Sequence, residues 1–330
     1  VALLGSAQAQ TKAVEDVAGS EGRQYTVTVD GMLQDGVVMI DVPPGAALDA
    51  DGKASQRGIA AGPTRVVYDT TAPTVGPVSI ASDNPRPDLA RPGDTVTLAF
   101  TVGEPLSAAP VVTLAGLPAD VVAAGRDAVS YLATRLMQPG DPEGAVSFAI
   151  ACTDVAGNAA AAVTATSDGS QVVFDETAPA VTVERLLTND PSPGLAGTVN
   201  DPTAAVQVQV GGSAYAAVNH GDGTWTLGAG AIGPLADGVH EVSVTATDPA
   251  GNAGTDGSAA ELEVDTVPPA AVIELAPGQA AVTNQPPVRF RITFSEPVYG
   301  LSPANVLFQC PSQPTSAQVT AVGRADGTVF

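Results

Sequence analysis

The chain has 330 residues and carries 35 Asp and Glu against 13 Lys and Arg, which gives a net charge of −22 at pH 7. This length allows about two to three domains, and the charge excludes nucleic acid and anionic lipid as partners because both repel a polyanion. With two His and two Cys, groups for acid–base or nucleophilic chemistry are scarce, so we expect a protein that is not an enzyme. No apolar run approaches the roughly 20 residues of a membrane-spanning helix, so we expect no membrane insertion of this segment.

Short runs of alternating apolar and polar residues, broken by Gly, Pro and Asp, follow one another along the chain. They predict β-strands, of which the clearest are residues 95–100, 146–151, 205–210, 240–245, 260–264 and 289–294. In the run that begins at His240, the side chains of Val242, Val244 and Ala246 fall on one face, and we expect that face to be buried. No window has the period of a helix, so the sequence predicts an all-β protein.

Two short phrases recur at similar intervals. The first is Asp-x-x-(Ala or Pro)-Pro, which we call the linker phrase; it occupies residues 69–73, 175–179 and 265–269, at intervals of 106 and 90 residues. The second is Asp-x-x-Gly-Asn, which we call the loop phrase; it occupies residues 154–158 and 248–252, with a degenerate copy at 49–53, at intervals of 105 and 94 residues. Since one β-sandwich of the immunoglobulin type has about 100 residues, the phrases predict a tandem array of sandwiches.

The phrases divide the chain into four predicted modules. These are residues 1–68, 69–174, 175–264 and 265–330. The spacing from Tyr25 to the degenerate loop phrase is close to the spacing from Tyr131 to its own loop phrase, so the first module corresponds to the C-terminal part of a sandwich. Residues 294–297 resemble residues 102–105, so the fourth corresponds to an N-terminal part. We therefore expect an extended array in which the sequence begins and ends within a module.

Several runs resemble the bacterial immunoglobulin-like repeats of giant surface adhesins and other repetitive cell-surface proteins. The runs are residues 68–73, 153–158, 222–227 and 294–298. The resemblance implies tandem immunoglobulin-like β-sandwiches, an extracellular location at the cell surface, and a non-catalytic role as a structural spacer or stalk in an adhesin or fibre. It also implies neighbouring modules as partners and, as in several groups of the family, calcium at the module junctions. The alternative function is a binding or self-assembling module that contacts carbohydrate, protein or copies of itself in a surface filament or layer.

Acidic side chains are expected to gather at the joints between modules. In a seven-strand sandwich, the loops after the second and sixth strands lie at the same pole as the incoming linker. The residues that this topology places at the joints are Asp69, Glu104, Asp154 and Asn158 for the second module, Asp175, Asp201 with Asn200, Asp248 and Asn252 for the third, and Asp265 and Glu296 for the fourth. Ca²⁺ takes about six to eight oxygen ligands, which carboxylates, a carboxamide and backbone carbonyls can supply. Two interpretations remain open: these phrases are turns alone, or they are turns that also bind calcium.

The rarer side chains indicate structure rather than chemistry. Trp225 is expected in the core rather than on a sugar-binding surface. Cys152 and Cys310 fall in different modules and are expected to be small buried residues, with an intermolecular link as the alternative. Because no Lys follows Lys53, a Lys–Asn isopeptide bond is excluded for the later modules.

Overall fold

The computed structural model describes residues 1–60, 62, 64–125 and 129–306. This part of the chain contains 27 β-strands and, as its only helical segment, a 3-10 turn at Pro303–Asn305. The predicted all-β fold class is therefore confirmed. Among the described residues, no helix has the length and apolar character needed to cross a membrane. The chain divides into two compact units, one of Val1–Pro179 with Thr247–Gly254, the other of Ala180–Ala246 with the residues from Thr255 onward.

Residues that precede Asp69 form two small sheets. Their strands are β1 (Ala2–Leu4), β2 (Thr11–Asp16), β3 (Tyr25–Asp30), β4 (Gly36–Asp41) and β5 (Arg65–Tyr68). In one sheet, β4 lies between β1 and β5 in antiparallel pairing, with Val37 opposite Val67. In the other, β2 and β3 form an antiparallel pair. Runs of β-branched residues such as Val37 and Val38 favour these strands because their side chains pack well on a pleated surface.

The second module contains ten strands in three sheets. They are β6 (Val75–Ser82), β7 (Leu89–Ala90), β8 (Thr95–Val102), β9 (Val111–Leu114), β10 (Leu117–Pro118), β11 (Asp120–Ala123), β12 (Ser130–Leu136), β13 (Gly144–Ala145), β14 (Phe148–Ala151) and β15 (Val173–Phe174). The sheet orders are β11-β12-β8-β6, β10-β9-β14 and β13-β15-β7. The short β7 pairs in parallel with β15, whereas the longer pairings are antiparallel. The second strand of the module, β7, is thereby joined to the last strand, β15.

A single apolar core fills the space between these sheets. Alternate residues of β8 are buried, and side chains from the facing strands, including Leu114 of β9 and Phe174 of β15, pack into the same cluster. The rings of Phe100 and Tyr131 stack with centroids 5.5 Å apart. Cys152 is buried at the edge of this core as a free thiol, as predicted, while Cys310 lies outside the described residues. The predicted strand 95–100 is confirmed and continues to Val102.

The third module is a second sandwich with its own core. Its strands are β16 (Val181–Val183), β17 (Leu186–Thr188), β18 (Leu195–Val199), β19 (Ala205–Val210), β20 (Ser213–Asn219), β21 (Thr224–Leu227), β22 (Gly238–His240), β23 (Val242–Thr247), β24 (Ala253–Thr255) and β25 (Leu262–Val264). The sheet orders are β16-β18-β21-β20-β19-β23-β24 and β17-β25-β22. As in the second module, a short early strand, β17, pairs in parallel with the last strand, β25. The division into four modules remains a prediction, but two modules have complete cores.

One predicted strand of the third module is interrupted. The run from His240 to Thr245 divides at Glu241 into β22, which pairs with β25, and β23, which belongs to the other sheet. The sequence pattern missed this break because alternation continues across it. The predicted face is nevertheless confirmed, since Val242, Val244 and Ala246 are buried. The last strands described, β26 (Ala271–Leu275) and β27 (Phe290–Phe294), form an antiparallel pair.

Trp225 anchors the core of the third module, as the sequence predicts. Its side chain is completely buried, and its Nε1 donates a hydrogen bond to the carbonyl oxygen of Thr182 at 2.9 Å. Gly197 lies opposite Trp225 on the neighbouring strand. A Cβ at Gly197 would stand 1.9 Å from the Thr182 oxygen and 2.7 Å from Trp225 Nε1. Only glycine fits at position 197, because the Thr182 carbonyl and the indole of Trp225 both approach its Cα closely.

We expect Trp225→Ala to destabilise the full chain by about 3–5 kcal/mol, because it leaves a large cavity and removes the hydrogen bond from Nε1 to the Thr182 carbonyl oxygen. The matched control is Val218→Ala on β20, whose side chain is 59% exposed and whose loss should cost less than about 0.5 kcal/mol. Urea unfolding followed by far-ultraviolet circular dichroism measures both. Equal losses in the two variants would contradict the assigned role of Trp225.

Candidate metal site

Three carboxylates from distant parts of the sequence meet at one end of the second module. An oxygen of each of Asp69, Glu104 and Asp154 lies within 4.8 Å of the other two, and within the described ranges this is the one group of three such side chains. Asp69 directly follows β5, Glu104 follows β8 by two residues, and Asp154 lies in the loop after β14. An isolated β-bridge between Leu106 and Asp154 joins the last two segments. We call these three residues the acidic cluster.

Loop 154–158 is shaped by its own side chains. Asp154 is 1% exposed, and its Oδ1 and Oδ2 accept hydrogen bonds from the backbone N and the Nδ2 of Asn158, both at 2.8 Å. The same Nδ2 donates to the carbonyl oxygen of Asp69 at 3.1 Å. Asn158 therefore fastens the loop to the linker through its amide nitrogen. A role for Asn158 as a metal ligand remains a prediction.

The linker aspartates all form the predicted turns. Oδ1 of each accepts a hydrogen bond from the backbone N–H two residues later, in Asp69 from Thr71 at 3.0 Å, in Asp175 from Thr177 at 3.0 Å, and in Asp265 from Val267 at 3.1 Å. This arrangement is the Asx turn. Turn chemistry therefore operates at every linker phrase. A carboxylate has several lone pairs, so accepting one hydrogen bond in a turn is compatible with metal binding.

Glu104 carries the least compensated charge of the cluster. Burial raises the pKa of its carboxyl, and repulsion by Asp69, Asp154 and Asp35 raises it further. Within the described part of the chain, no hydrogen-bond donor and no ion pair to the Glu104 carboxylate is seen. Among the described residues, the cluster therefore concentrates negative charge without an ion pair to a basic side chain.

Asp35 belongs to the same joint, and sequence reasoning missed it. Its Oδ1 accepts hydrogen bonds from the backbone N and the Oγ1 of Thr70 at 2.9 and 2.8 Å. Its Oδ2 accepts a hydrogen bond from the Thr71 hydroxyl. These bonds, first that from the Thr71 hydroxyl and then that from Thr70, lower the pKa of Asp35. Asp35 thus holds the linker that follows its own module, and we call this contact a linker clamp.

The linker clamp recurs at the next two linkers. Glu143 Oε1 accepts hydrogen bonds from Glu176 N at 3.0 Å and Thr177 Oγ1 at 2.7 Å. Asp237 Oδ1 accepts hydrogen bonds from Thr266 N at 2.9 Å and Thr266 Oγ1 at 2.8 Å. In all three cases the acid precedes a glycine that opens a strand, namely Gly36, Gly144 and Gly238. This acid–glycine pair is the sequence signal that could have identified the clamps.

The predicted ligands of the third module are placed differently. Asn252 Nδ2 donates to the Asp175 carbonyl oxygen at 3.0 Å and to Asp248 Oδ2 at 2.8 Å, which repeats the loop-to-linker contact of Asn158. Asp201 lies in the other compact unit, where its Oδ1 accepts hydrogen bonds from the N and Oγ1 of Thr203 at 2.7 and 2.8 Å. Asp201 is therefore engaged in its own turn.

Two neighbouring predictions concern the polar residues at the start of the third and fourth modules. Asn200 Oδ1 accepts a hydrogen bond from Ala180 N at 2.8 Å, so its side chain closes the start of the module. Glu296 is half-buried and follows β27 by two residues, which is the relation of Glu104 to β8. Asp265 forms its Asx turn as described. A metal-binding role of these residues remains a prediction.

The comparisons with known proteins agree with this architecture. Residues 180–266 match the family model of the bacterial Ig-like domain, which confirms the resemblance stated from the sequence for this part of the chain. No curated protein has a sequence that matches this chain.

Several solved structures match parts of this chain at low sequence identity. One is a Ca²⁺-stabilised adhesin that helps an Antarctic bacterium bind ice, with 16% identity, a TM-score of 0.37, and coverage of 84% of this chain and 68% of that one. Another is a tetra-tandem repeat from the extending region of a large adhesion protein, with 22% identity, a TM-score of 0.27, and coverage of 85% and 72%. A third comprises fibronectin(III)-like modules of Clostridium thermocellum CbhA, with 16% identity, a TM-score of 0.29, and coverage of 56% and 93%.

The clamp of the second module predicts a pH dependence. The Thr177 hydroxyl, followed by the Glu176 N–H, lowers the pKa of Glu143 below its ordinary value of 4.5. A lowered folded pKa stabilises the fold above the unfolded pKa, and this contribution is lost as the pH falls through the folded value. At neutral pH we expect the wild-type protein to unfold at a higher urea concentration than Glu143→Gln. This difference should disappear as the pH falls below 4.5.

Thr177→Val provides a second variant, since it keeps Glu143 but removes the hydroxyl that lowers its pKa most. Its midpoint should also approach that of wild type as the pH falls, because protonated Glu143 gains less from the hydroxyl. A difference that stays constant from acidic to neutral pH in both variants would show that the clamp carboxylate makes no charge-dependent contribution.

Proposed function

We propose that this chain is a non-catalytic structural segment of a large extracellular, repetitive cell-surface protein of the adhesin or fibre type, stiffened by Ca²⁺ at its first joint. The observation that carries the proposal is the acidic cluster, in which three carboxylates converge within 4.8 Å where two modules meet. The match of residues 180–266 to the bacterial Ig-like domain supports the structural role.

The donor set of the acidic cluster fits Ca²⁺. The ion binds oxygens at about 2.3–2.6 Å, so two ligands of one ion lie at most about 5 Å apart. The separations among Asp69, Glu104 and Asp154 stay within 4.8 Å. All three groups are hard oxygen donors, and the cluster contains no His or Cys that would favour a transition metal.

A bound cation would remove an electrostatic cost of the fold. Glu104 is repelled by Asp69, Asp154 and Asp35, and these four side chains come from four separate segments. A divalent ion supplies the positive charge that offsets this repulsion. The three cluster carboxylates would hold it, while Asn158 and the Asp35 clamp keep loop and linker in position. Removing the ion would restore the repulsion at the joint.

Calcium titration tests the site. We expect Ca²⁺ to raise the unfolding temperature of the metal-free chain, because a hundredfold excess over Kd adds about 2.7 kcal/mol to the free energy of unfolding. Glu104→Gln should weaken binding at least about tenfold, because affinity depends on the number of charged ligands. Asp120→Asn, on the exposed edge strand β11, should bind as wild type does. Isothermal titration calorimetry and thermal unfolding measure these effects, and equal affinity of wild type and Glu104→Gln would refute the site.

Stiffening is a separate expectation. Small-angle X-ray scattering of wild type should give a larger maximum dimension with Ca²⁺ than with EDTA, because the ion holds linker and loops together at the joint. Glu104→Gln should show the EDTA dimension under both conditions. If wild type binds Ca²⁺ yet keeps the same scattering profile, the ion stabilises the module without stiffening the chain, and the spacer mechanism is wrong.

A further inference from the structure

The two loop phrases have the same internal geometry in different surroundings. In both loops, 154–158 and 248–252, the aspartate oxygens accept hydrogen bonds from the backbone and side-chain nitrogens of the asparagine at 2.8–2.9 Å. The glycine before the asparagine has a φ of +98° in the first loop and +96° in the second. The first loop faces carboxylates. The second faces an arginine and an asparagine of the second module.

Three polar side chains between β6 and β8 form what we call the loop socket, namely Asn84, Arg91 and Asp94. Asp94 organises it, because its Oδ2 accepts hydrogen bonds from Asn84 Nδ2 at 2.7 Å and from the backbone N of Arg91 at 2.9 Å. Asn84 is only 6% exposed, and its Oδ1 accepts a hydrogen bond from Arg86 N at 2.9 Å. Both ends of the Asn84 amide are therefore fixed by the second module itself.

The loop socket binds loop 248–252 through backbone carbonyls. Asn84 Nδ2 donates to the Ala250 oxygen at 2.9 Å, and Arg91 Nη1 donates to the Gly251 oxygen. Ala250 is 3% exposed, so its carbonyl depends on this donor. A Cβ at position 251 would lie 3.2 Å from Arg91 Nη1. Glycine at this position therefore allows the positive φ of the loop and leaves room for the arginine side chain.

The carboxylate of Asp248, the acidic residue of this loop, accepts its hydrogen bonds from the loop itself. Asp248 is 6% exposed. Its Oδ1 accepts hydrogen bonds from Gly251 N at 2.7 Å and Asn252 N at 2.9 Å, and its Oδ2 from Asn252 Nδ2 at 2.8 Å. The positive charge at the loop comes from the guanidinium group of Arg91, which is part of the chain and donates to the Gly251 oxygen. Glu104 of the acidic cluster has no such partner among the described residues.

We propose that Asn84, Arg91 and Asp94 hold loop 248–252 by a cation that the protein itself supplies, so that this loop stays closed at any calcium concentration while loop 154–158 responds to calcium. The contrast between the loops rests on the proposed function; the loop socket does not. The two copies of the loop phrase would then be held in place differently, one by a bound metal ion and the other by an arginine side chain.

Hydrogen exchange measured by mass spectrometry on the full chain tests this proposal. In wild type, EDTA should speed exchange in peptides that contain residues 154–158 and leave peptides that contain residues 248–252 unchanged. Arg91→Gln should speed exchange in the second loop by about tenfold, the effect of losing a partly exposed charge-assisted hydrogen bond. Asn84→Ala should do so at least as strongly, since Asn84 is buried.

The matched control is Arg86→Gln. Arg86 is an arginine of the same segment whose side chain pairs with Asp88 at the surface, and its loss should leave the loop unchanged. If neither loop responds to EDTA but Arg91→Gln loosens loop 248–252, the calcium proposal fails and the loop socket holds. If Arg91→Gln and Asn84→Ala both exchange like wild type, or if EDTA loosens the second loop as much as the first, the loop socket is refuted.

Discussion

The arrangement of the joints depends on one hydrogen bond, from the loop asparagine to the backbone carbonyl of the linker aspartate. Asn158 reaches Asp69 across 89 residues, and Asn252 reaches Asp175 across 77. Each asparagine also binds the aspartate of its own loop, so one amide group fixes the shape of the loop and its place on the linker. This bond is a direct side-chain link between the loop that carries Asp154 and the linker that carries Asp69, so it contributes to the geometry of the acidic cluster. The asparagine is thus a positioning residue before it is a candidate ligand.

Charge is the second constraint on the joints. A chain with a net charge of −22 repels itself, and turns and clamps built from Asp and Glu place part of that charge where modules meet. Threonine hydroxyls and backbone N–H groups offset it at the clamps of Asp35 and Glu143, where hydrogen bonding lowers the pKa. At Glu104 the balance is reversed, because burial and neighbouring carboxylates raise the pKa. The joint therefore combines carboxylates that accept several hydrogen bonds with one, Glu104, whose pKa is raised by burial and by its acidic neighbours.

Sequence reasoning reached the fold and the acidic cluster because both follow from periodicity and topology. Alternation identified the strands, and the rule that two loops of a sandwich share a pole with the linker placed Glu104 near Asp154. It missed the Asp35 clamp because an acid followed by glycine is too short a phrase to distinguish from chance. It also missed the break at Glu241, since alternation continues when a strand passes from one sheet to the other. Such features depend on which neighbour a side chain meets, and only the folded structure supplies that information.

The two loop phrases show why a motif alone does not define a metal site. Loops 154–158 and 248–252 have nearly the same internal hydrogen bonds, so the motif specifies a turn that presents carbonyls and a buried aspartate. What the turn does next is decided by residues outside the motif. Glu104 adds negative charge beside the first loop, whereas Arg91 brings positive charge to the second. In a repetitive chain, the residues that surround each copy of a phrase can therefore set the chemistry of each joint separately.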